Sequence, residues 1–150
     1  MTDIALRLDP ETGIGDFILK DGALALDQGL ESAVIISLFT DARAAADDVL
    51  PQPGGDRRGW WGDAVASIDG DATGAKLWLL ERSKITADVP VRAQGYAAAA
   101  LAWLMADRIA GSVAVVAEVQ RPQTLALAVE ITRPTGPDRQ RFDYVWGAHQ

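Results

Sequence analysis

Residues 112–146 read SVAVVAEVQRPQTLALAVEITRPTGPDRQRFDYVW, and apolar side chains recur at every second position along three successive segments. A period of two is typical of β-strands that bury one face. The side chains predicted to face one way are Val113, Val115, Ala117 and Val119 in the first segment, Leu125, Leu127, Val129 and Ile131 in the second, and Phe142, Tyr144 and Trp146 in the third. The links are short, and the second contains Pro134 and Gly136. We therefore predict an antiparallel three-stranded meander.

Upstream of this meander the apolar spacing changes to that of helices. Leu30, Val34 and Leu38 begin one apolar stripe, which predicts a helix from Leu30 to about Asp47. Asp27 precedes the stripe and is a suitable N-cap residue, because its carboxylate can accept a hydrogen bond from a free backbone N–H.

Two further helices are predicted in the middle of the chain. Residues 76–84 form a short apolar pattern, and residues 89–110 a longer one with Pro90 in its first turn and Gly111 after its end. Between the first helix and these two, residues 49–74 are rich in Gly, Pro and Asp and show little periodicity. We expect a long irregular loop there.

The N-terminal residues predict a strand and a β-hairpin. Residues 4–8 alternate, and Asp21-Gly22 is a favoured two-residue hairpin turn because both positions tolerate positive φ. Pairing across that turn places Phe17 opposite Leu26 and Leu19 opposite Leu24, with all four side chains on one half-buried face. The order of strands, helices and strands indicates an α+β fold, and 150 residues indicate a single domain over residues 1–150.

Composition excludes several classes of function. The net charge of −7 and the pI of about 4.6 argue against nucleic-acid and anionic-membrane partners, which select basic surfaces. The absence of cysteine excludes disulfides and thiolate chemistry. No apolar run reaches the length of about 20 residues that a membrane span requires. The first residues lack the basic and apolar regions of a signal peptide, so we expect no cleaved signal.

Few residues suggest catalysis or metal binding, and we predict no cofactor and no metal site. The one histidine, His149, is next to the last residue, which disfavours a histidine-based catalytic dyad. Residues 69–74, DGDATG, resemble the start of a calcium loop, but the twelfth position is Leu80 rather than a carboxylate. We therefore expect a structural turn there. The carboxylates available for hydrolysis are Asp56, Asp63, Glu81 and Glu118, and nothing in their spacing singles out a pair.

The segment DRRGWWGD, residues 56–63, has the most unusual composition in the chain. Three interpretations are open: a lid over the core, a protein–protein interface, or a platform that stacks single-stranded nucleic acid. Trp and Arg dominate the energetics of many protein interfaces. The candidate interface residues are Arg57, Arg58, Trp60, Trp61 and Asp63.

Four segments occur in an order that is similar to the gene product 46 family of Mu-like phages and prophages. They are LESAVIISLFTDARAAADDVLP, DRRGWWGD, KLWLLERSK and RFDYVW, and the resemblance extends from Asp3 to Trp146. More distantly, the chain resembles the gene 25-type baseplate wedge proteins of T-even phages. The glutamate–proline–arginine signature of that second group does not occur in this sequence.

The resemblance implies a non-enzymatic structural part of a contractile-tail baseplate. The implied partners are other wedge proteins, the tail tube and the sheath, in a sixfold arrangement. The implied location is the host cytoplasm during assembly and then the tail baseplate of the virion. The alternative is a tail-associated cell-wall hydrolase of the lysozyme type.

Overall fold

The elements follow the predicted order of strands, helices and strands. The computed structural model describes residues 3–9, 12–27, 29–84, 86–121, 124–135 and 139–147, so Gly136 and His149 lie outside it. The N-terminal strands are β1 (Asp3–Ile4), β2 (Leu6–Leu8), β3 (Gly15–Phe17), β4 (Leu19–Lys20), β5 (Ala23–Leu24) and β6 (Leu26–Asp27). The α-helices are α1 (Glu31–Phe39), α2 (Asp88–Leu101) and α3 (Trp103–Ala106), and 3-10 helices span Trp61–Val65 and Lys76–Leu80. The C-terminal strands are β7 (Ser112–Arg121), β8 (Thr124–Thr132) and β9 (Arg139–Gly147).

The C-terminal strands form the predicted antiparallel meander, with β8 in the centre. Leu127 of β8 lies opposite Ala117 of β7 and Tyr144 of β9, so the three apolar faces meet on one side of the sheet. Helix α2 packs against this side, where its Ala93 and Ala97 are fully buried. Small side chains on the helix allow its backbone to approach the sheet closely. The large apolar side chains of β8 then fill the core.

The predicted helix of residues 30–47 is wrong in its second half, because α1 ends at Phe39. Beyond that point the backbone pairs with a distant segment instead of with itself. Ala75 N–H donates to the carbonyl of Thr40 at 2.9 Å, and Ala42 N–H donates to the carbonyl of Ala75 at 3.0 Å. These long-range hydrogen bonds outweigh the local helix propensity of the alanine-rich sequence.

The other helices are also shorter than predicted. The helix predicted for residues 76–84 is a 3-10 helix that stops at Leu80, and Arg82 nearby has a φ of 62° that no helix permits. The helix predicted for residues 89–110 is divided into α2 and α3. Pro90 lies in the first turn of α2, as predicted.

Strands β1 to β6, within residues 3–9 and 12–27, form short strand pairs, which we call the N-terminal arm. The Asp21-Gly22 turn has positive φ at both residues, as predicted. Leu19 lies opposite Leu24, also as predicted. The prediction that Phe17 lies opposite Leu26 is wrong, since these residues pair with β2 and β1 respectively.

A ring of backbone hydrogen bonds explains this different pairing. Ala5 N–H donates to the carbonyl of Ala25 at 2.9 Å, Ala25 N–H to that of Ile18 at 2.8 Å, and Ile18 N–H to that of Ala5 at 3.0 Å. Three two-stranded ladders therefore diverge from one point: β1 with β6, β2 with β3, and β4 with β5. The β4–β5 hairpin is therefore a separate two-stranded ladder and not part of a larger sheet.

No helix within the described ranges is long and apolar enough to cross a lipid bilayer.

Candidate interface surfaces

Segment 56–63 lies against the chain that follows α1. Ala44 N–H donates to the carbonyl of Arg57 at 2.9 Å. Gly59 has a φ of 109°, and a Cβ at this position would stand 2.9 Å from the Cβ of Arg43. Glycine is needed both for that backbone angle and for that close approach.

Arg57 binds backbone carbonyls in the turn after α1. Its guanidinium donates to the carbonyls of Ala45 and Ala46, the latter at 3.1 Å. The carboxylate of Asp48 closes the same turn, accepting from Ala45 N–H at 2.7 Å and from the Lys76 ammonium at 2.6 Å. The hydrogen bond from Lys76 is the main reason that the pKa of Asp48 lies below its ordinary value. Arg57 therefore has a structural role within the chain.

Arg58 is the centre of a group that we call the arginine cluster. Its guanidinium donates to both carboxylate oxygens of Glu81, at 3.0 and 2.7 Å, and to Asp41 at 2.9 Å. It also lies 4.6 Å from the ring centroid of Trp78. The hydrogen bond to Glu81 is the main reason that the pKa of Arg58 is raised. The buried Trp78 donates through Nε1 to the carbonyl of Ala42 at 2.8 Å, so the cluster fixes the chain after α1.

Asp63 joins two distant parts of the long loop. Its carboxylate accepts from the N–H of Thr73 at 3.0 Å, while its own backbone lies in the 3-10 helix Trp61–Val65. The candidate interface residues that have partners within the chain are Arg57, Arg58 and Asp63.

Trp60 and Trp61, the tryptophan pair, point outward. Trp60 is 44% exposed and Trp61 77% exposed, with ring centroids 5.4 Å apart. The Trp60 ring lies on Gly62, where a Cβ would stand 2.2 Å from ring atoms. Val65 and Ile68 are also exposed nearby in sequence. The pair therefore forms a supported apolar surface of the kind that marks protein interaction sites.

The N-terminal arm carries a second exposed apolar surface, where the alternating sequence pattern predicted a half-buried face. That prediction is wrong, because the hairpin side chains are between 48% and 69% exposed. The alternating pattern correctly indicates an apolar hairpin, but it cannot show whether the same chain covers it. The side chains concerned are Phe17, Leu19, Leu24 and Leu26.

Leu6 and Leu8 of the arm pack against the core, and the buried Ser32 of α1 adds hydrogen bonds to the arm. The Ser32 hydroxyl donates to the carbonyl of Ile4 at 2.9 Å and accepts from Leu6 N–H at 3.0 Å. Both hydrogen-bonding functions of the hydroxyl are therefore used between the arm and α1. This contact could not be predicted from the sequence, since an isolated serine in a helix carries no signal of a partner 28 residues away.

Asp27 stabilises the start of α1, although the predicted N-cap position is wrong. The residue at that position is Leu30, and the Asp27 carboxylate instead accepts from the N–H groups of Gly29 at 2.7 Å and Ser32 at 2.8 Å. Burial by itself raises the pKa of Asp27, but the hydrogen bonds from Ser32 and Gly29 outweigh it and leave the pKa below its ordinary value.

Residues 69–74 form a turn in which Gly70 and Gly74 have positive φ, as a structural turn requires. Within the described part of the chain, no group of three or more His, Cys, Asp or Glu residues could hold a metal ion.

Comparison with known proteins identifies the family of this chain. The family model described as phage protein GP46 matches residues 30–138. The chain belongs to this family. It is 40% identical over 141 residues to the Mu-like prophage FluMu protein gp46 of Haemophilus influenzae, covering 94% of each protein. It is 43% identical over 137 residues to baseplate protein gp46 of Escherichia phage Mu, covering 91% of this chain and 90% of the relative.

The family assignment confirms the resemblance drawn from the sequence motifs. The matched residues of the GP46 family begin after the N-terminal arm and include the arginine cluster and the tryptophan pair.

Proposed function

We propose that this chain is a structural subunit of a contractile-tail baseplate and that it acts through protein–protein contacts, without catalysis. The observation that carries the proposal is the 43% identity, over 91% of the chain, to a protein named as a baseplate protein of phage Mu. Its partners are other baseplate wedge, tail tube and sheath proteins, in a sixfold arrangement. It assembles in the host cytoplasm and remains in the tail of the virion.

The exposed tryptophan pair supports an assembly role. Trp61 exposes 77% of its surface, and large aromatic rings contribute strongly to binding when a partner removes them from water. Because Trp60 is already held against Gly62, little side-chain freedom is lost on binding. The interface function of segment 56–63 is thus assigned to Trp60 and Trp61. Arg57, Arg58 and Asp63 hold the loop that presents them.

The hydrogen bonds of Arg57 and Arg58 within the chain argue against a nucleic-acid function. Both guanidinium groups of the segment already bind oxygen atoms of this chain. Releasing them for phosphate would leave carboxylates or carbonyls without their partners. Nucleic acid is therefore not among the proposed partners.

The hydrolase alternative receives no support from Glu81. Its carboxylate accepts two hydrogen bonds from Arg58. Both of its carboxylate oxygens are therefore already bonded within the arginine cluster.

The experiment is deletion of the gene from a phage or inducible prophage that carries it, followed by electron microscopy of the induced lysate. We expect no complete contractile tails, and restored tails when the wild-type gene is supplied in trans. Normal tails in the deletion strain would overturn the proposal. Peptidoglycan turnover by the purified chain is measured in parallel, and turnover that is lost in Glu81→Gln or Glu118→Gln would instead establish the hydrolase.

A further inference from the structure

A cleft lies between the outer side of α1, the end of α2 and the turn of residues 71–74. Its volume is about 250 Å³. The walls combine apolar surface with two carboxylates, and they include Asp3, Ile36, Ser37, Asp71, Ala100 and Trp103. We call it the Trp103 cleft.

The walls of the cleft are fixed by hydrogen bonds and by close packing. Trp103 Nε1 donates to the Ser37 hydroxyl at 3.1 Å, which holds the indole against α1. Gly74 lies so close to the chain after α1 that a Cβ would stand 2.3 Å from the carbonyl oxygen of Thr40. The turn on the other side of the cleft therefore has a fixed position. A site that exists before binding needs little reorganisation.

The two carboxylates at the cleft belong to exposed residues that form no salt bridge with any described residue. The Asp3 carboxylate accepts a hydrogen bond from the neighbouring Ile4 N–H at 2.8 Å, and this donor is uncharged. Among the described residues, no Lys or Arg lines the cleft, by contrast with the depression around Trp78, which Arg58 lines. The cleft is thus an apolar and aromatic surface with net negative charge.

The arginine cluster shows which group suits such a surface. There, one tryptophan and two carboxylates surround the guanidinium of Arg58, which bonds to both acids and lies over the ring. The Trp103 cleft repeats this composition, with Asp3 and Asp71 in place of Asp41 and Glu81, but no cationic side chain of the described part of the chain lines it. Guanidinium groups stack on aromatic rings and bind carboxylates through paired N–H donors.

We propose that the Trp103 cleft receives an arginine side chain of another tail protein, with the guanidinium at Asp3 and Asp71 and the aliphatic stem against Ile36 and Ala100. The inference rests on the proposed assembly function. The volume agrees with this occupant, since about 250 Å³ is below the range of about 300–1,000 Å³ typical of small-molecule sites. One inserted side chain matches it better than a metabolite.

Binding is tested on the isolated full chain with N-acetyl-L-arginine N-methylamide as the probe and its citrulline analogue as the uncharged control. Nuclear magnetic resonance follows the Trp103 indole N–H and the amide signals of the cleft. We expect saturable shifts with the arginine compound alone, and about fivefold weaker binding in Asp71→Asn but not in Asp69→Asn. Equal shifts with the citrulline compound, or none with either, would overturn the inference.

Assembly is tested by filling the cleft. Ala100→Leu places a larger side chain in it, and Ala99→Leu changes the exposed neighbouring residue of α2 that does not line it. In the deletion strain we expect at least a tenfold lower yield of complete tails with Ala100→Leu than with Ala99→Leu, at equal thermal stability of the purified chains. If both variants restore tails fully, the cleft inference is wrong while the baseplate function stands. If the deletion strain makes normal tails, the baseplate function fails, and the probe experiment still decides the cleft.

Discussion

The two halves of segment 56–63 have opposite environments although they are adjacent in sequence. In the first half, the guanidinium groups of Arg57 and Arg58 bind oxygen atoms of the same chain. In the second, the rings of Trp60 and Trp61 face solvent. A partly buried charged group destabilises the fold when it has no partner. The chain therefore supplies hydrogen-bond acceptors to both guanidinium groups. The apolar rings that the fold leaves exposed are the stronger indication of an external partner.

The largest expected loss of stability comes from Arg58→Ala, which leaves the carboxylates of Asp41 and Glu81 without their shared cation. We expect the free energy of unfolding to fall by about 2 kcal/mol, between the values for exposed and fully buried ion pairs, because the cluster is partly exposed. Denaturant unfolding of the purified chain measures it. Arg92→Ala, which removes an exposed ion pair to Asp88, is the control and should change stability by less than about 0.5 kcal/mol. Equal effects of the two variants would show that the arginine cluster contributes no stability.

The double variant Trp60→Ala/Trp61→Ala tests the outward half. We expect a loss of only about 1 kcal/mol, because truncating a fully buried tryptophan typically costs about 3–5 kcal/mol and these rings are largely exposed. Tail yield in the deletion strain should nevertheless fall at least tenfold. Val91→Ala changes another exposed apolar residue and should affect neither measurement. A loss of stability as large as that of a buried tryptophan would make the pair part of the core.

Sequence patterns predicted those parts of the fold that depend on local periodicity. The alternation of apolar residues around Leu127 predicts a strand with one buried face. The neighbouring strands β7 and β9 alternate in the same way, so their apolar faces lie on the same side of the sheet. The end of α1 could not be predicted, since residues 42–47 favour a helix locally and the competing hydrogen bonds come from the distant Ala75 and Arg57. The hairpin pattern predicted its turn but not its exposure. Whether a face is covered depends on the three-dimensional path of the whole chain.

The candidate site shows the same limit. The unusual composition of segment 56–63 identified it as a candidate interface. The roles of its individual side chains, however, depend on residues far away in sequence. Arg58 meets Glu81, and Asp63 meets Thr73. Neither contact has a short-range signature.

A smaller effect on stability is expected from Gly62→Ala, which tests whether the tryptophan pair is held in place. The new Cβ would overlap the Trp60 ring, and the ring can move because it is partly exposed. We expect a loss of less than about 1 kcal/mol together with a clear change in the near-ultraviolet circular dichroism of the pair. Gly95→Ala is the control: it lies in α2 with open space around it, so it should raise stability by about 0.5–1 kcal/mol and leave that spectrum unchanged. An unchanged spectrum in Gly62→Ala would mean that Gly62 does not position the ring.

The smallest expected effect concerns pH and returns to the turn that Arg57 binds. The pKa of Asp48 is lowered from 3.8 in the folded chain, mainly by the hydrogen bond from Lys76. Its ionised form is therefore the one that stabilises the fold. That contribution is complete above pH 3.8 and is lost as the pH falls through the folded-state pKa. Asp48→Asn should lower stability at pH 7 by about 0.5 kcal/mol, with a difference from the wild type that shrinks below pH 3.8.

Denaturant unfolding at a series of pH values gives this difference directly, with Asp47→Asn as the exposed neighbouring control. The same series on Trp60→Ala/Trp61→Ala sharpens the contrast between the two halves of the segment. Removal of the rings changes no ionisable group, so its effect on stability should be the same at every pH. If the Asp48→Asn difference is also independent of pH, then its ionised carboxylate does not support the turn, and the hydrogen bonds from Arg57 hold that turn without it.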